Sequence, residues 1–176
     1  MKIRSPEIQP EFIAALQRQD AKAFEKLFAL YSGLVYSIAF SSLADRMLAE
    51  DILQEVFLKA YHALPRFTGT RLSPWLGRIA HNTCIDLLRQ QKKSPTVVAK
   101  PIEELHLSAT EQVPDELPDM MNALSATEKE VLVLKKIEGL SYAEISEITG
   151  LAEGTLRNLL VKVIRSLQGV AGEQRL

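Results

Sequence analysis

The chain has 176 residues, of which 47% are hydrophobic and 24% charged, and its formal net charge is -1. This composition indicates a globular, water-soluble protein rather than a membrane-embedded one. Residues 1–6 lack the apolar stretch of a signal peptide, no apolar run is long enough to span a bilayer, and Cys84 is the single cysteine. We therefore expect a cytoplasmic protein without membrane insertion and without an intramolecular disulfide.

Apolar residues recur with a helical period along most of the chain, which predicts an all-α fold. Asp20 is expected to cap a long first helix whose buried stripe consists of Phe24, Leu27, Phe28, Tyr31, Leu34, Val35 and Ile38. A second helix is predicted over residues 47–64. A third is predicted to begin with Ser73 as its N-cap and Pro74 at its first helical position. Together these helices predict an N-terminal domain, residues 1–94.

An acidic segment separates this domain from a second one. Residues 59–100 contain eight Lys or Arg residues and one acid, whereas residues 101–121 contain six acids and no Lys or Arg. The first segment is suited to contact phosphates, and the second would be repelled by DNA. Prolines recur between residues 95 and 118. The sequence therefore predicts an extended acidic linker over residues 95–121.

The C-terminal domain, residues 122–176, has the pattern of a helix-turn-helix. Ser125 with Glu128 and Ser141 with Glu144 have the spacing of capping boxes, and glycines 139 and 150 lie where helices would end. A short helix, a glycine turn and a longer helix over residues 153–168 complete the motif. Two small helical domains on an acidic linker are therefore predicted.

The second helix has a polar face that calls for an explanation. At 100° per residue, its apolar residues lie on one side, and the opposite side carries Asp51, Gln54, Glu55 and Leu58. Three polar side chains around one exposed leucine suit docking onto a basic protein surface. The pattern alone also fits an ordinary solvated helix face.

The third helix and the loop before it form a candidate nucleic-acid site. One flank of the helix carries Arg78, Asn82, Arg89 and Lys92, whose cations and amide suit phosphates and base edges. The loop over residues 66–71 places Phe67 and Thr68 between Arg66 and Arg71, a composition that binds unpaired bases. The alternative is that the aromatic residues belong to the core. That alternative is favoured for Trp75 and stays open for Phe67.

The sequence contains no arrangement that indicates catalysis. P-loop and dinucleotide-binding glycine motifs are absent, and His81 with Cys84 is the nearest approach to a metal pair. That pair fits a structural role better than metal binding. We therefore assign no catalytic residue, no metal site and no cofactor.

Several motifs together resemble a known family. Residues 49–57, Ala-Glu-Asp-Ile-Leu-Gln-Glu-Val-Phe, and the segments 74–82 and 85–89 resemble region 2 of the extracytoplasmic-function (ECF) sigma factors of bacterial RNA polymerase. Gly-Leu-Ser-Tyr-Ala-Glu-Ile at 139–145 and Glu-Gly-Thr-Leu-Arg at 153–157 resemble region 4. A helix-turn-helix alone is weak evidence, whereas both regions in this order are specific.

The resemblance implies a transcription initiation factor that binds core polymerase and recognises a two-part promoter. It implies that Asp51, Gln54, Glu55 and Leu58 dock on the β′ clamp helices, with further contacts to the β subunit. It places the minus-ten element, including a flipped base, on Phe67, Thr68, Arg71, Arg78, Asn82, Arg89 and Lys92. It places the minus-thirty-five element on Thr155, Arg157, Asn158, Lys162 and Arg165. An anti-sigma partner and a role in stress response are also implied.

One helix departs from the family pattern. Leu159 and Ile164 occupy positions at which the family commonly has arginine, so fewer phosphate contacts are expected from the last helix. Three other functions remain as alternatives: a stand-alone helix-turn-helix regulator, a nucleic-acid-processing enzyme and an anti-sigma-type binding protein. The first leaves the polar face and the Phe67 loop without a role, and the second lacks catalytic residues.

Overall fold

The computed structural model describes residues 9–93 and 124–173, with the side chains of residues 9–92 and 124–167. These residues form seven α-helices and one short 3-10 helix, Leu64–Arg66, and contain no strand. In chain order the helices are α1 (Pro10–Gln17), α2 (Ala21–Leu43), α3 (Arg46–Ala63), α4 (Leu72–Lys93), α5 (Ala126–Lys136), α6 (Tyr142–Thr149) and α7 (Glu153–Glu173). The all-α prediction is confirmed for these residues, and the predicted acidic linker lies outside them.

Aspartate caps fix the beginnings of α2 and α3. Asp20 Oδ1 accepts a hydrogen bond from the backbone N–H of Ala23 at 2.8 Å, as the sequence predicted. Asp45 Oδ1 accepts one from the N–H of Leu48 at 3.0 Å. Each carboxylate accepts a hydrogen bond from an N–H group that has no partner within its helix. Each carboxylate also lies at the positive end of the helix dipole.

The third predicted helix begins earlier than expected. α4 starts at Leu72, so Ser73 lies inside the first turn and is not the N-cap. Ser73 and Leu72 are both buried. Both residues pack in the core as part of the helix, which therefore begins before Pro74. The prediction from the local Ser-Pro pattern placed the start of the helix two residues too late.

α2 is the central helix of the core and packs against α3, α4 and α5. Leu27, Val35 and Ile38 are completely buried, as the predicted stripe requires. Phe28, which the sequence placed on the same stripe, is 43% exposed and packs against the ring of Phe57 with centroids 4.7 Å apart. Phe28 follows Leu27 directly and is therefore rotated by 100° from it around the helix axis. This rotation places Phe28 at the border of the buried stripe and outside the core.

By length and composition, α2 is also apolar enough to cross a membrane, contrary to the expectation that no segment would be. It is the one helix of the described residues with this property. Its buried residues pack in the core formed with α3, α4 and α5. The apolar character of α2 is therefore that of a central core helix.

Two complete capping boxes begin the helices of the C-terminal part, as predicted. Ser125 and Glu128 exchange backbone-to-side-chain hydrogen bonds at the start of α5, and Ser141 and Glu144 do the same at the start of α6. Gly150 then ends α6 with a left-handed backbone, φ 75°. α7 follows at once and extends beyond the predicted residue 168.

We predict that Gly150→Ala lowers the free energy of unfolding by about 1–2 kcal/mol, because alanine is strained at a positive φ. The matched control is Gly154→Ala in the first turn of α7, where an added Cβ meets no atom within 4 Å. That substitution should leave stability unchanged or raise it. Urea unfolding of the full chain measures both variants. Equal stability of the two would show that the turn after α6 tolerates a side chain.

Candidate nucleic-acid interface

A cleft of about 960 Å³ lies where the 3-10 helix and the following loop meet α3 and α4. Four cationic side chains line it: Lys59, Arg66, Arg71 and Arg78. Thr68 and Thr70 contribute exposed hydroxyl groups at its rim. The cleft therefore combines positive charge with hydrogen-bonding groups, as a site for a nucleic-acid strand requires.

The aromatic floor of the cleft is more buried than the loop sequence suggested. Phe67 is 6% exposed, and its ring packs against Trp75 with centroids 4.7 Å apart at an angle of 49°. Gln17 of α1 donates a hydrogen bond from Nε2 to the backbone carbonyl of Phe67 at 2.7 Å, and this contact connects the loop to α1. Phe67 is thus a packed wall of the cleft and not an open stacking platform. Trp75 belongs partly to the core and partly to the cleft.

The polar flank of α4 continues from the cleft along the helix. Arg78, Asn82, Arg89 and Lys92 are all exposed, as the sequence predicted, and the buried stripe of α4 lies behind them. Arg89 lies 3.8 Å from Asp86, a weak surface pair that leaves its guanidinium available. Asn82 is exposed one turn beyond Arg78. This flank can hold phosphates while Asn82 contacts a base edge.

Two cations of this site already have a carboxylate-bearing neighbour from α6. Arg71 forms an ion pair with the side chain of Glu147, and Arg78 Nη1 donates a hydrogen bond to the backbone carbonyl of the same residue at 3.1 Å. Glu147 itself lines the cleft. No local pattern predicted the contact with Glu147, nor that His62 would line the cleft from α3, whereas Lys59, which also lines it, belongs to the basic segment over residues 59–100.

The face of α3 that the sequence assigned to a protein partner is open to solvent. Asp51, Gln54 and Glu55 are exposed, and Leu58 is 60% exposed between them. Glu55 is paired with Lys59 at 2.7 Å along the same helix. An exposed leucine ringed by acidic and amide groups has the composition of a docking anchor with a polar rim.

The exposed face of α7 contains all five residues that the sequence assigned to it: Thr155, Arg157, Asn158, Lys162 and Arg165. Intramolecular contacts engage two of its cations. Arg157 bonds to Glu153 at 2.9 Å and lies over the ring of Tyr142 at 5.0 Å from its centroid. Lys162 Nζ bonds to Glu128 Oε1 at 3.0 Å. A DNA phosphate would have to compete with these partners.

The contacts of His81 and Cys84 do not suit a metal pair. His81 Nδ1 hydrogen-bonds to the carboxylate of Glu130 at 2.8 Å, and Cys84 is 1% exposed. Burial raises the pKa of the Cys84 thiol to about 12, so the thiolate that a metal would need is strongly disfavoured. Across the described residues, no group of three His, Cys, Asp or Glu side chains is placed to hold a metal ion.

Two family models match this chain. The one described as Sigma-70 region 2 matches residues 27–94, and the one described as Sigma-70, region 4 matches residues 115–167. The first range contains the flank of α4, the polar face of α3 and every residue that lines the cleft except Glu147. The second contains α5, α6 and most of α7.

Known proteins are similar in sequence to this chain over most of their length. The chain is 32% identical over 160 residues to the RNA polymerase sigma factor CarQ of Myxococcus xanthus, covering 88% of this chain and 92% of CarQ. It is 28% identical over 152 residues to the ECF RNA polymerase sigma factor SigM of Bacillus subtilis, covering 83% of this chain and 93% of SigM.

A solved structure has a similar fold. The sigma factor RpoE, in complex with the anti-sigma factor NepR from Bartonella quintana, superposes with a TM-score of 0.73 over 86% of this chain and 98% of RpoE, at 24% identity. At this identity the likeness supports the fold alone.

We predict a pH-dependent contribution of Glu128 to stability. Hydrogen bonds from the backbone N–H and the hydroxyl of Ser125, together with Lys162, lower the pKa of Glu128 from 4.5 to about 2. Because the folded-state pKa is below the unfolded one, the carboxylate stabilises the fold above about pH 4.5, and this contribution is lost as the pH falls toward 2. Glu128→Gln should cost about 1 kcal/mol at pH 6 and progressively less in acid.

Denaturant unfolding of both proteins between pH 6 and pH 2.5 measures the difference. Glu25→Gln, at an exposed position of α2, is the matched control and should change stability little. A difference between wild type and Glu128→Gln that stays constant with pH would contradict the prediction.

Proposed function

Because the chain belongs to the extracytoplasmic-function sigma factors of bacterial RNA polymerase, we propose that it divides promoter recognition between its two helical parts. As a member of this family it is a transcription initiation factor that binds core RNA polymerase and directs it to promoters. In the proposal, residues 1–94 bind the core enzyme and the minus-ten element, residues 122–176 bind the minus-thirty-five element, and residues 95–121 link them.

The observation that carries this proposal is the cationic cleft beside the polar flank of α4. Arg71, Arg78 and Lys59 converge on it, and Asn82 lies next along the helix. Such a site favours an unpaired strand, since the cleft can accept a base that has left the stack while the flank holds its phosphates. Strand opening then needs binding energy alone and no chemical step. Phe67 contributes by holding the shape of the cleft.

The exposed face of α3 is proposed as the contact with the β′ clamp helices of the core enzyme. Leu58 would enter an apolar depression, while Asp51, Gln54 and Glu55 would face basic or polar groups around it. The β subunit is proposed to contact the chain elsewhere. The face lies outside the core, because the opposite side of α3 supplies the buried residues of that helix.

The exposed face of α7 is proposed to enter the major groove of the minus-thirty-five element. Thr155, Arg157, Asn158, Lys162 and Arg165 would supply its contacts. Glu128 and Glu153 already engage two of these cations, and Leu159 and Ile164 lie partly buried on the flanks. We therefore expect few phosphate contacts and a promoter occupancy that depends on the polymerase.

The remaining partners and the location follow from the family. Sigma factors are non-enzymatic, and we propose that this chain acts in the cytoplasm without catalytic activity or cofactor. RpoE in the solved structure is bound to an anti-sigma factor, and we propose a partner of the same kind here. Val161, 48% exposed on the polar face of α7, offers such a protein an apolar contact next to the DNA-binding cations.

We predict that replacing Asp51 and Glu55 together by lysine weakens binding to core polymerase by about tenfold or more. Both lysines would then face a basic surface of the polymerase and be repelled by it. Titration of labelled full-length protein with core polymerase measures the affinity. The same reversal at Glu11 and Glu25, exposed on α1 and α2, is the control and should bind like wild type. Circular dichroism should show the same helicity for all three proteins. Undiminished binding by the Asp51 and Glu55 variant would exclude this face from the interface.

We also predict that Asn82→Ala reduces transcription from a duplex promoter several-fold more than from the same promoter with a pre-melted bubble. The amide would contact bases only after the strands separate, and this contact would favour strand opening. A template whose strands are already separated therefore depends less on Asn82. Run-off transcription with core polymerase on both templates measures the ratio. Gln91→Ala, on the opposite side of α4 at 100° per residue, should change neither template. Equal losses on both templates would place the role of Asn82 in folding or in core binding.

A further inference from the structure

The loop that forms one wall of the cleft is fixed at Phe67 by three contacts. The backbone N–H of Phe67 donates to the carbonyl of Leu64 at 3.0 Å and joins the loop to the 3-10 helix. The carbonyl of Phe67 accepts the hydrogen bond from Gln17 Nε2, and its ring packs against Trp75. Because Phe67 is almost completely buried, its two backbone groups depend on these hydrogen bonds for partners.

Gly69 allows the loop to pass close to this ring. A Cβ atom built at Gly69 would lie 2.8 Å from Cζ and 2.9 Å from Cε2 of Phe67. The ring is not free to move away, because it is buried and packed against Trp75. A side chain at position 69 would therefore displace either the ring or the loop. The course of the loop thus depends on a residue without a side chain.

The helix that supplies Gln17 has a fixed position of its own. α1 packs against the 3-10 helix and α2, and Leu16, next to Gln17, is completely buried. The chain that follows α1 is also held, because the N–H groups of Arg18, Gln19 and Asp20 all donate to carbonyls of α1. Gln17 itself is half-buried. Its amide is therefore a donor in a fixed place.

The bond from Gln17 bears directly on the groups at the rim of the cleft. The carbonyl that it holds belongs to the peptide unit between Phe67 and Thr68, and this unit is planar, so the backbone of Thr68 is oriented with it. Thr68 and Thr70 are exposed and line the cleft. A base that enters the cleft meets a loop that is already ordered. Its binding therefore does not include the entropy cost of ordering this loop.

We propose that α1 is part of the minus-ten site and that Gln17 is the residue that positions its base-accepting loop. α1 lies before residue 27, where the match to region 2 begins. Gln17 does not contact DNA in this role and acts through Phe67 and Thr68. Without its hydrogen bond, the carbonyl of Phe67 must turn to water for a partner, and the loop loses the shape that receives a base. This inference rests on the proposed binding of an unpaired base in the cleft.

Two substitutions disturb the loop from different sides. Gln17→Met keeps the length and helix-forming tendency of the side chain but removes its donor. Its control is Gln19→Met, at an exposed glutamine whose Nε2 bonds to the carbonyl of Tyr61 in α3 at 3.2 Å and not to the loop. Gly69→Ala places a methyl group against the buried ring. Its control is Gly33→Ala in α2, where an added Cβ meets nothing within 4 Å.

The measurement separates contacts to bases from contacts to phosphates. Fluorescence anisotropy gives the affinity of the full-length protein for a labelled single-stranded DNA oligonucleotide of random sequence. It also gives the affinity for a labelled oligonucleotide of the same length whose sugars carry no bases. Both probes can bind the cations, whereas only the first can place a base in the cleft. The ratio of the two affinities therefore reports on the base-accepting loop.

We expect Gln17→Met to weaken binding of the base-carrying oligonucleotide by about three- to tenfold, the equivalent of one hydrogen bond. Binding of the base-free oligonucleotide should stay the same as for wild type. Gly69→Ala should weaken binding of the base-carrying oligonucleotide alone in the same way, and both controls should match wild type on both probes. Urea unfolding followed by circular dichroism shows that each variant is folded under the binding conditions.

The proposal is overturned if Gln17→Met binds both oligonucleotides as Gln19→Met does, or if it weakens both to the same extent. Failure of the proposed cleft function has a different signature. If Arg78→Ala binds both oligonucleotides as tightly as wild type, DNA binds outside the cleft. If wild type does not prefer the base-carrying oligonucleotide, the cleft accepts no base. Either of these results overturns the cleft function and the role of Gln17 together.

Discussion

The burial of the apolar face of α2 is the constraint on which both halves of the structure depend. Leu27, Val35 and Ile38 are withdrawn completely from solvent, and each contributes on the order of 1.5–3 kcal/mol relative to an exposed side chain. α3 and α4 bury one part of this face and α5 another. The positions of the cleft and of the polar face of α3 follow from how these helices pack around α2.

α4 has three roles because its sides have different compositions. Its apolar stripe, with Leu76 and Ala80, packs into the core, while Arg78 and Asn82 remain in solvent beside the cleft. Between these two sides lies Gly77, whose missing side chain lets α6 come close. A single helix thereby connects the stability of the fold, the nucleic-acid site and the contact with the C-terminal part. A substitution in α4 will therefore seldom affect one property alone.

Acidic residues form contacts with cations of both surfaces that are proposed to bind DNA. Glu147 approaches the cleft, Glu128 holds Lys162, and Glu153 holds Arg157. Each exposed pair is worth little by itself, at most about 1 kcal/mol, yet each must be exchanged for a phosphate when DNA binds. We therefore expect weak intrinsic affinity for DNA. A factor that acts only as part of a polymerase complex benefits from this, since free copies do not occupy promoters unproductively.

The sequence by itself determined the features that depend on neighbours within a few residues. The helices, the Asp20 cap and the serine boxes before α5 and α6 were predictable, because these contacts lie within one turn. The exposure of the α3, α4 and α7 faces was predictable as well, because a period of 3.6 residues separates the core side from the solvent side. Family motifs then supplied a role for each face, which periodicity alone could not.

Only the tertiary structure decided which surfaces meet. Arg71 and Glu147 are 76 residues apart, and His81 and Glu130 are 49 apart, so no local pattern relates them. The burial of Phe67 depends on Trp75 and on Gln17 of α1. Periodicity gives the direction of a side chain from its own helix axis, whereas its partner is set by the packing of other helices against that side.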